Sequence, residues 1–312
     1  MVRRGPGPDG GNMRPIPSSA DFVLPAMFER LAVLPQYLLP KQALTSMAGC
    51  FASWRGGSVT ESVIRWFVQR YSVNMNEAAN PDIASYATFN EFFTRPLKPD
   101  ARPLTRAQLI SPVDGAISQF GPIAGDQVFQ AKGHSYSTTT LVGGDVTLAA
   151  RFENGSFATL YLSPKDYHRI HMPCAGRLVR MIHVPGDLFS VNPTTARGVP
   201  GLFARNERVV CVFESDAGPF VQVLVGATIV GSMATVWHGV VNPPRPGTVR
   251  EWTYLDQNIE FEQGDEMGRF LLGSTVVLLF PAKFGGAALR FNPEWFPARP
   301  IRMGEAMSST HC

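Results

Sequence analysis

From about Leu109 to Phe280 the sequence is written in short β-branched and aromatic runs separated by Gly, Pro and Asp. Gly115–Phe120, Val146–Phe152, Phe157–Leu162, Leu178–Val184, Val209–Glu214 and Phe270–Phe280 each read as a strand, and this spacing specifies a β-rich domain. The longest uncharged stretch, Ala217–Trp237, has the length of a bilayer span. Its residues argue otherwise: Phe220, Val221, Val223, Leu224, Val225, Ile229 and Val230 favour strands, Gly226 and Gly231 interrupt them, and polar residues are interspersed. Two buried strands around a glycine turn are expected.

The preceding region follows a helical pattern. Phe22, Leu24, Met27, Phe28, Leu31, Leu34, Tyr37, Leu38 and Leu39 form broad apolar faces cut by Pro25, Pro35 and Pro40, which makes the helices short and kinked. Leu44, Met47, Ala48, Phe51 and Trp54 continue the pattern, and after a cap at Ser58 or Thr60 a third segment carries Val63, Ile64, Trp66, Phe67 and Tyr71. Such faces either pack on the rest of the protein or lie in a headgroup boundary, with Lys41, Arg55, Arg65 and Arg70 on lipid phosphates. Thr94–Pro103, with three prolines, reads as an extended linker. The expected organisation is a disordered tail over residues 1–20, a helical, membrane-associating region and linker over 21–108, and a β-rich domain over 109–312. The fold class is α+β, amphipathic helices followed by a β-rich core.

Charged residues make up 17% of the chain, below the roughly 25% of soluble domains, and 28 Lys and Arg against 25 Asp and Glu leave a net charge of +3. That is too little for a nucleic-acid partner and of the right sign for an anionic lipid surface. Cys50, Cys174, Cys211 and Cys312 are widely separated, which indicates neither a zinc knuckle nor a dense disulfide framework.

Three places carry chemistry-bearing residues. In Leu272-Gly273-Ser274-Thr275, glycine leaves the carbonyl before serine unshielded, so a strained turn would let the Ser274 hydroxyl attack it and convert the peptide bond to an ester. Elimination of that ester and hydrolysis of the resulting dehydroalanine would leave a pyruvoyl ketone, an electron sink made from the chain itself. The tripeptide fits an ordinary small-residue turn as well. His168 and His171 reach one site if their segment is helical or tightly turned, and they fit a metal pair, an acid/base pair or two structural histidines. Asp114, before Gly115, fits a turn at a strand entry. The order Asp, His, Ser sharpens the reading, since an activated serine needs a base and the base an orienting carboxylate.

Around these residues lie Tyr37-Leu38-Leu39-Pro40-Lys41, Phe89-Asn90-Glu91-Phe92-Phe93-Thr94-Arg95, Ser111-Pro112-Val113-Asp114-Gly115 and Lys132-Gly133-His134-Ser135-Tyr136-Ser137. Tyr167-His168-Arg169-Ile170-His171-Met172-Pro173, Phe189-Ser190-Val191-Asn192, Leu202-Phe203-Ala204-Arg205-Asn206-Glu207-Arg208 and the Leu272 motif follow in order. In that collinear order, between Tyr37 and Phe284, the chain resembles the phosphatidylserine decarboxylases of the bacterial and mitochondrial type.

The resemblance implies a self-cleavage triad of Asp114, His171 and Ser274, with His171 as base and Asp114 orienting it. Cleavage between Gly273 and Ser274 would give β and α chains, 1–273 and 274–312, of one precursor, held together because the Ser274 strand is buried. The only cofactor implied is a covalent pyruvoyl group derived from Ser274, the Schiff-base site for the amine of phosphatidylserine; no metal, nicotinamide or pyridoxal phosphate is implied. His168 would act in decarboxylation, protonating the α-carbon to give phosphatidylethanolamine. The expected setting is peripheral, on an anionic membrane surface at the cytoplasmic face of a bacterial inner membrane, with homo-oligomerisation left open and no nucleic acid. A zinc hydrolase using His168 and His171, and a noncatalytic lipid-binding module, are the competing readings.

Overall fold

The computed structural model describes residues 33–37, 40–131, 133–228, 232–242, 245, 247–271 and 274–309, with Gln42 and Ser274 described by their backbone alone. Residues 33–37 are helical, and the further helices are α1 Lys41–Ser53, α2 Ser58–Tyr71, α3 Phe89–Phe93, α4 Thr138–Leu141, α5 Val146–Ala150, α6 Pro193–Gly198 and α7 Leu202–Arg205. The strands are β1 Gly115–Pro122, β2 Gln127–Ala131, β3 His134–Ser137, β4 Ser156–Leu162, β5 Arg169–His171, β6 Gly176–Val184, β7 Arg208–Ser215 and β8 Gly218–Val225. They continue with β9 Met233–Thr235, β10 Gly239–Val240, β11 Arg250–Thr253, β12 Glu260–Phe261, β13 Glu266–Phe270, β14 Ser274–Phe280 and β15 Pro300–Ile301. The fold is α+β, as expected.

Among the described residues, the main sheet runs β11-β6-β7-β8-β14-β4-β1-β15, with β12 also on β6, and its strand pairs are antiparallel. β14 lies inside it, between β8 and β4. Val277 and Leu279 face a core with Val128, Leu141, Leu148, Ala196 and Leu202, which come from the helices and the β2-β3 hairpin. Val276, Leu278 and Phe280 face a second core with Ile170, Met233, Met267 and Phe270, from the smaller sheet β10-β9-β13-β5. Covering both faces explains a continuous apolar run where a half-exposed antiparallel strand would alternate. Each such side chain contributes about 1.5–3 kcal/mol by leaving water.

The helical region has a core of its own, in which Ala52, Ile64, Val73, Phe89, Phe92 and Phe93 are buried with Phe67 against them. Thr88 begins α3, its side chain accepting from the Glu91 amide at 3.1 Å. The layer is attached to the sheets where the site lies. The ring of Phe93 lies 4.0 Å from that of His168, and Arg169 Nε donates to the Thr94 carbonyl at 2.8 Å.

Several local expectations change. Val146–Phe152 is not a strand: Asp145 caps a short helix, accepting from the Leu148 amide at 2.9 Å, while Leu148 and Ala149 turn inward and Val146 outward. The residue entering α2 is Gly57; Thr60 instead accepts from the Gly56 amide. Ala217–Trp237 does form buried strands, but β8 and β9 belong to different sheets, and residues 229–231 between them lie outside the described residues. Thr94–Pro103, the expected extended linker, has Pro96, Lys98, Pro99, Asp100 and Pro103 exposed and is anchored by Arg95 and the Arg102 side chain, which are buried. Lys41 turns inward, 3.4 Å from the Phe189 ring centre and 3.7 Å from Asp187, which removes it from the cations expected at lipid phosphates. The tail over 1–20 lies outside the described residues, as do Phe22, Leu24, Met27, Phe28, Leu31, Leu38 and Leu39 of the expected apolar faces, Ile229 and Val230, and Cys312.

Candidate active site

The run Phe270–Phe280 is two strands separated by a crossing between sheets. β13 ends at Phe270, whose amide donates to the His168 carbonyl at 3.0 Å, and β14 begins at Ser274, paired with Leu162 of β4. Leu271, between them, donates its amide to Ser232 at 3.0 Å. Gly273, on one side of the expected scissile bond, lies outside the described residues with Leu272. The segment from Leu162 to His168 makes the reverse crossing, from the main sheet to β5. Its turn is held by Asp166, whose carboxylate accepts from the Ser163 amide and hydroxyl, each at 2.7 Å. Burial raises the pKa of that carboxyl. Phe270 and Ser274, on either side of the expected cleavage segment, are therefore bonded or paired to His168 and Leu162, the two ends of the segment that leads into both histidines.

His168 and His171 are not on a helix; His171 ends strand β5 and His168 precedes it, so the two rings have different neighbours. His168 is 0% exposed. Its Nδ1 lies 2.7 Å from the Asp166 carbonyl, and because that oxygen can only accept, Nδ1 carries the proton. Nε2 then presents a lone pair with no partner among the described residues. Burial, aided by the charge of Arg95, lowers the pKa of the imidazole to about 3, so at neutral pH it is uncharged. An orphaned buried nitrogen is the type of group a native core avoids unless something binds there.

His171 has the same tautomer by the same logic. Nδ1 donates to the Gly264 carbonyl at 2.7 Å, and Nε2 lies 3.1 Å from the Tyr167 hydroxyl, from which it accepts. Burial lowers its pKa too, against the pull of the Gly264 bond and the carboxylates of Glu266 and Asp114. Gly264 has φ +90, a conformation suited to glycine, and this turn delivers its carbonyl to the ring. With both ring nitrogens engaged, the geometry gives the metal-pair reading no support.

Asp114 has other contacts. Its carboxylate takes Arg102 Nε at 2.8 Å and the Met303 amide at 2.9 Å, and Arg102 reaches on to Glu77 at 2.7 Å. Among the described residues Asp114 therefore acts on His171 through charge, and the hydrogen-bonded orienter of the ring is the Gly264 carbonyl. Gly115 brings Asp114 up to the end of β4 that pairs with Ser274. A Cβ there would lie 2.2 Å from the Tyr161 carbonyl oxygen, so only glycine lets β1 close against β4 at this point. Ala116 pairs with Tyr161 and Tyr161 with Thr275, so one residue earlier the row runs Gly115, Leu162, Ser274.

The structure thus brings Asp114, His168, His171 and the Ser274 backbone to one end of the sheets. Sequence reasoning missed Tyr167, Gly264, Arg102 and Arg95. Tyr167 was in plain view beside His168, but the separation of Gly264 and Arg102 from their partners leaves no local signal. A cavity of about 450 Å³ opens beside this end, lined by Arg95, Arg102, Asp114, Tyr161, Asp166 and Tyr167 among others.

The fold is a β-rich one with two buried histidines gathered near the start of the Ser274 strand, and comparison with known proteins gives its class, an enzyme. The family model described as phosphatidylserine decarboxylase matches residues 89–309, and a second, described as PSD, matches residues 31–72. A phosphatidylserine decarboxylase proenzyme of Dechloromonas aromatica (strain RCB) is 73% identical over 283 residues, covering 91% of this chain and 99% of that protein. Proteins of the same description from Variovorax paradoxus (strain S110) and Albidiferax ferrireducens (strain ATCC BAA-621 / DSM 15236 / T118) are each 72% identical, covering 91% and 90% of this chain and 99% and 98% of their own lengths. The chain belongs to the phosphatidylserine decarboxylase family and is an enzyme, a decarboxylase of phospholipid biosynthesis.

Proposed function

We propose that this chain is a proenzyme that cuts itself between Gly273 and Ser274 and, as the mature pair of chains, converts phosphatidylserine to phosphatidylethanolamine and carbon dioxide. The observation that carries this reading is that Phe270, four residues before Ser274, donates its amide to the carbonyl of His168, whose imidazole is fully buried with Nε2 unpartnered among the described residues. The Ser274 hydroxyl adds to the Gly273 carbonyl; the C–N bond breaks as the ester forms, and His171 Nε2 carries the hydroxyl proton to the leaving nitrogen. Loss of the Ser274 α-proton then expels the Gly273 carboxylate, and water replaces the amine of the resulting dehydroalanine, releasing ammonia and leaving the ketone.

His171 suits the first task because its Nδ1–H is held by Gly264 and its Nε2 is a lone pair, which takes the proton once the Tyr167 hydroxyl turns away from it. Asp114 stabilises the transient imidazolium through its charge. When formed, the pyruvoyl ketone supplies the electron sink for loss of carbon dioxide. His168 acts in turnover: it is neutral in the empty site, gains a proton at Nε2 when an anion arrives beside it, and delivers that proton to the α-carbon as carbon dioxide leaves.

The enzyme meets its lipid at a membrane surface. Leu34, Tyr37, Met47, Phe51, Trp54, Val59 and Trp66 are exposed on the helical region, Met47 at 70% and Trp66 at 57%. Among the described residues, no helix is long and apolar enough to cross a membrane. The exposed apolar residues support peripheral binding, which we read as contact with an anionic leaflet at the cytoplasmic face of a bacterial inner membrane. Intact-protein mass spectrometry tests the central claim. Two chains, 1–273 and 274–312, the second with a blocked N-terminus, are expected, and Ser274→Ala should remain one chain. Wild-type protein that acts on phosphatidylserine while uncut would refute it.

A further inference from the structure

The cavity beside Leu162 contains a buried cation with no direct ion pair among the described residues. Its carboxylates are engaged elsewhere: Glu77 and Asp114 by Arg102, and Asp166 by Ser163. Arg95 lines the same cavity and is 4% exposed, yet no described carboxylate lies within 4.0 Å of its guanidinium. Nε has no partner, Nη1 makes one 3.4 Å hydrogen bond to the Phe92 carbonyl, and the group lies 5.1 Å from the centre of the Phe92 ring. A guanidinium carries five N–H donors, and burying one so sparsely paired is unfavourable unless an anion joins it. Burial correspondingly lowers its pKa. Lys165, exposed at the rim, is a second cation of the cavity.

We propose that Arg95 anchors the phosphodiester anion of the substrate headgroup, an inference that rests on the decarboxylase reading above. Tyr161 and Ser163, the neighbours of Leu162, line the cavity, and Leu162 is the backbone partner of Ser274, one strand spacing of about 4.8 Å away. The phosphate of a serine phospholipid is a few bonds from the amine that reacts at residue 274, so a headgroup held at that residue has its phosphate on the side where this cavity lies. The substrate's carboxylate is the wrong occupant. A guanidinium on it would stabilise the charge that decarboxylation must remove, tightening the ground state more than the transition state. A phosphodiester keeps its charge throughout, so holding it positions the headgroup at every stage.

The experiment uses full-length wild type, Arg95→Met and Arg95→Lys, each checked for cleavage by mass spectrometry. KM and kcat are measured with monomeric short-chain phosphatidylserine, and inhibition with glycerophosphoethanolamine, which retains the phosphodiester and lacks the carboxylate, and with ethanolamine, which lacks both. Arg95→Met should be cleaved, with KM raised on the order of 10–100-fold. Inhibition by glycerophosphoethanolamine should weaken in proportion while inhibition by ethanolamine does not change. Arg95→Lys should fall between, because a point charge replaces a fork; if Arg95→Met is not cleaved, this variant decides. Unchanged KM and inhibition in a cleaved variant overturn the proposal, and so does a raised KM with glycerophosphoethanolamine inhibition intact, which would assign Arg95 to the carboxylate. A wild-type protein that is uncut or inactive defeats the underlying reading instead.

Discussion

At the scale of single residues, the two histidines are set apart by what each ring nitrogen meets. His171 Nε2 is held by Tyr167 and its Nδ1 by Gly264, whereas His168 Nε2 has no hydrogen-bond partner among the described residues. His171→Ala should therefore leave the precursor uncut, while His168→Ala should be cut yet lose most turnover, on the order of 100-fold or more. A gel for processing beside release of labelled carbon dioxide separates them; normal maturation of His171→Ala would end this division of labour. The burial of His168 also predicts a pH dependence of stability. Its folded pKa is about 3, while the unfolded chain takes up the proton near 6.5. Below about pH 6.5 the unfolded state binds a proton that the native state refuses, so stability falls on acidification, by up to about 1.4 kcal/mol per pH unit until the folded value is reached. Above pH 6.5 this group contributes no slope. His168→Phe should lose less stability than wild type between about pH 7.5 and pH 5, read as urea midpoints. Equal losses would mean that the imidazole is charged in the fold.

At the scale of elements, the helical region has two faces with different tasks. Inward, α3 supplies Phe93 to His168, and the segment after it supplies Arg95 to the cavity and Arg102 to Asp114. Outward, the region exposes Met47, Phe51, Trp54 and Trp66. Replacing these four with serine should reduce binding to vesicles of anionic phospholipid at least about tenfold, since each buries apolar area in the headgroup boundary. The melting temperature should change little, because none belongs to the buried core of the region. Vesicle binding equal to wild type would dismiss this face as the membrane contact. If this face is the contact, ion pairs from Arg65 and Arg70 to lipid phosphates would make the binding salt-sensitive, and Lys41, turned onto Phe189, would add nothing to it.

At the scale of the whole molecule, cleavage before Ser274 need not release anything. β14 pairs with β4 along its whole length and with β8 from Thr275 to Leu279, and its side chains belong to both cores. Chains 1–273 and 274–312 should co-elute in native size exclusion and separate only in denaturant; dissociation on dilution alone would contradict the packing. Leu279→Ala, at a fully buried position, should cost about 2–5 kcal/mol, measured by denaturant unfolding. Much of this was legible from sequence. Runs such as Val276 to Phe280 are apolar at every position, which is decided by chemistry along the chain and requires a strand covered on both faces. The motif order around Asp114, His168, His171 and Ser274 likewise named the family. The sequence alone did not determine that Asp145 would turn Val146–Ala150 into a helix, because a cap and a strand start compete locally and the core chooses between them. Nor did it determine who holds whom. Asp114 pairs with Arg102 and His171 with Gly264 because distant segments converge at the ends of two sheets, and hydrogen bonds form with whichever group arrives within about 3 Å. Residue identity determined which chemistry was available; only packing decided that Arg95 would be buried with its Nε unpartnered and His168 with its Nε2 unpartnered among the described residues.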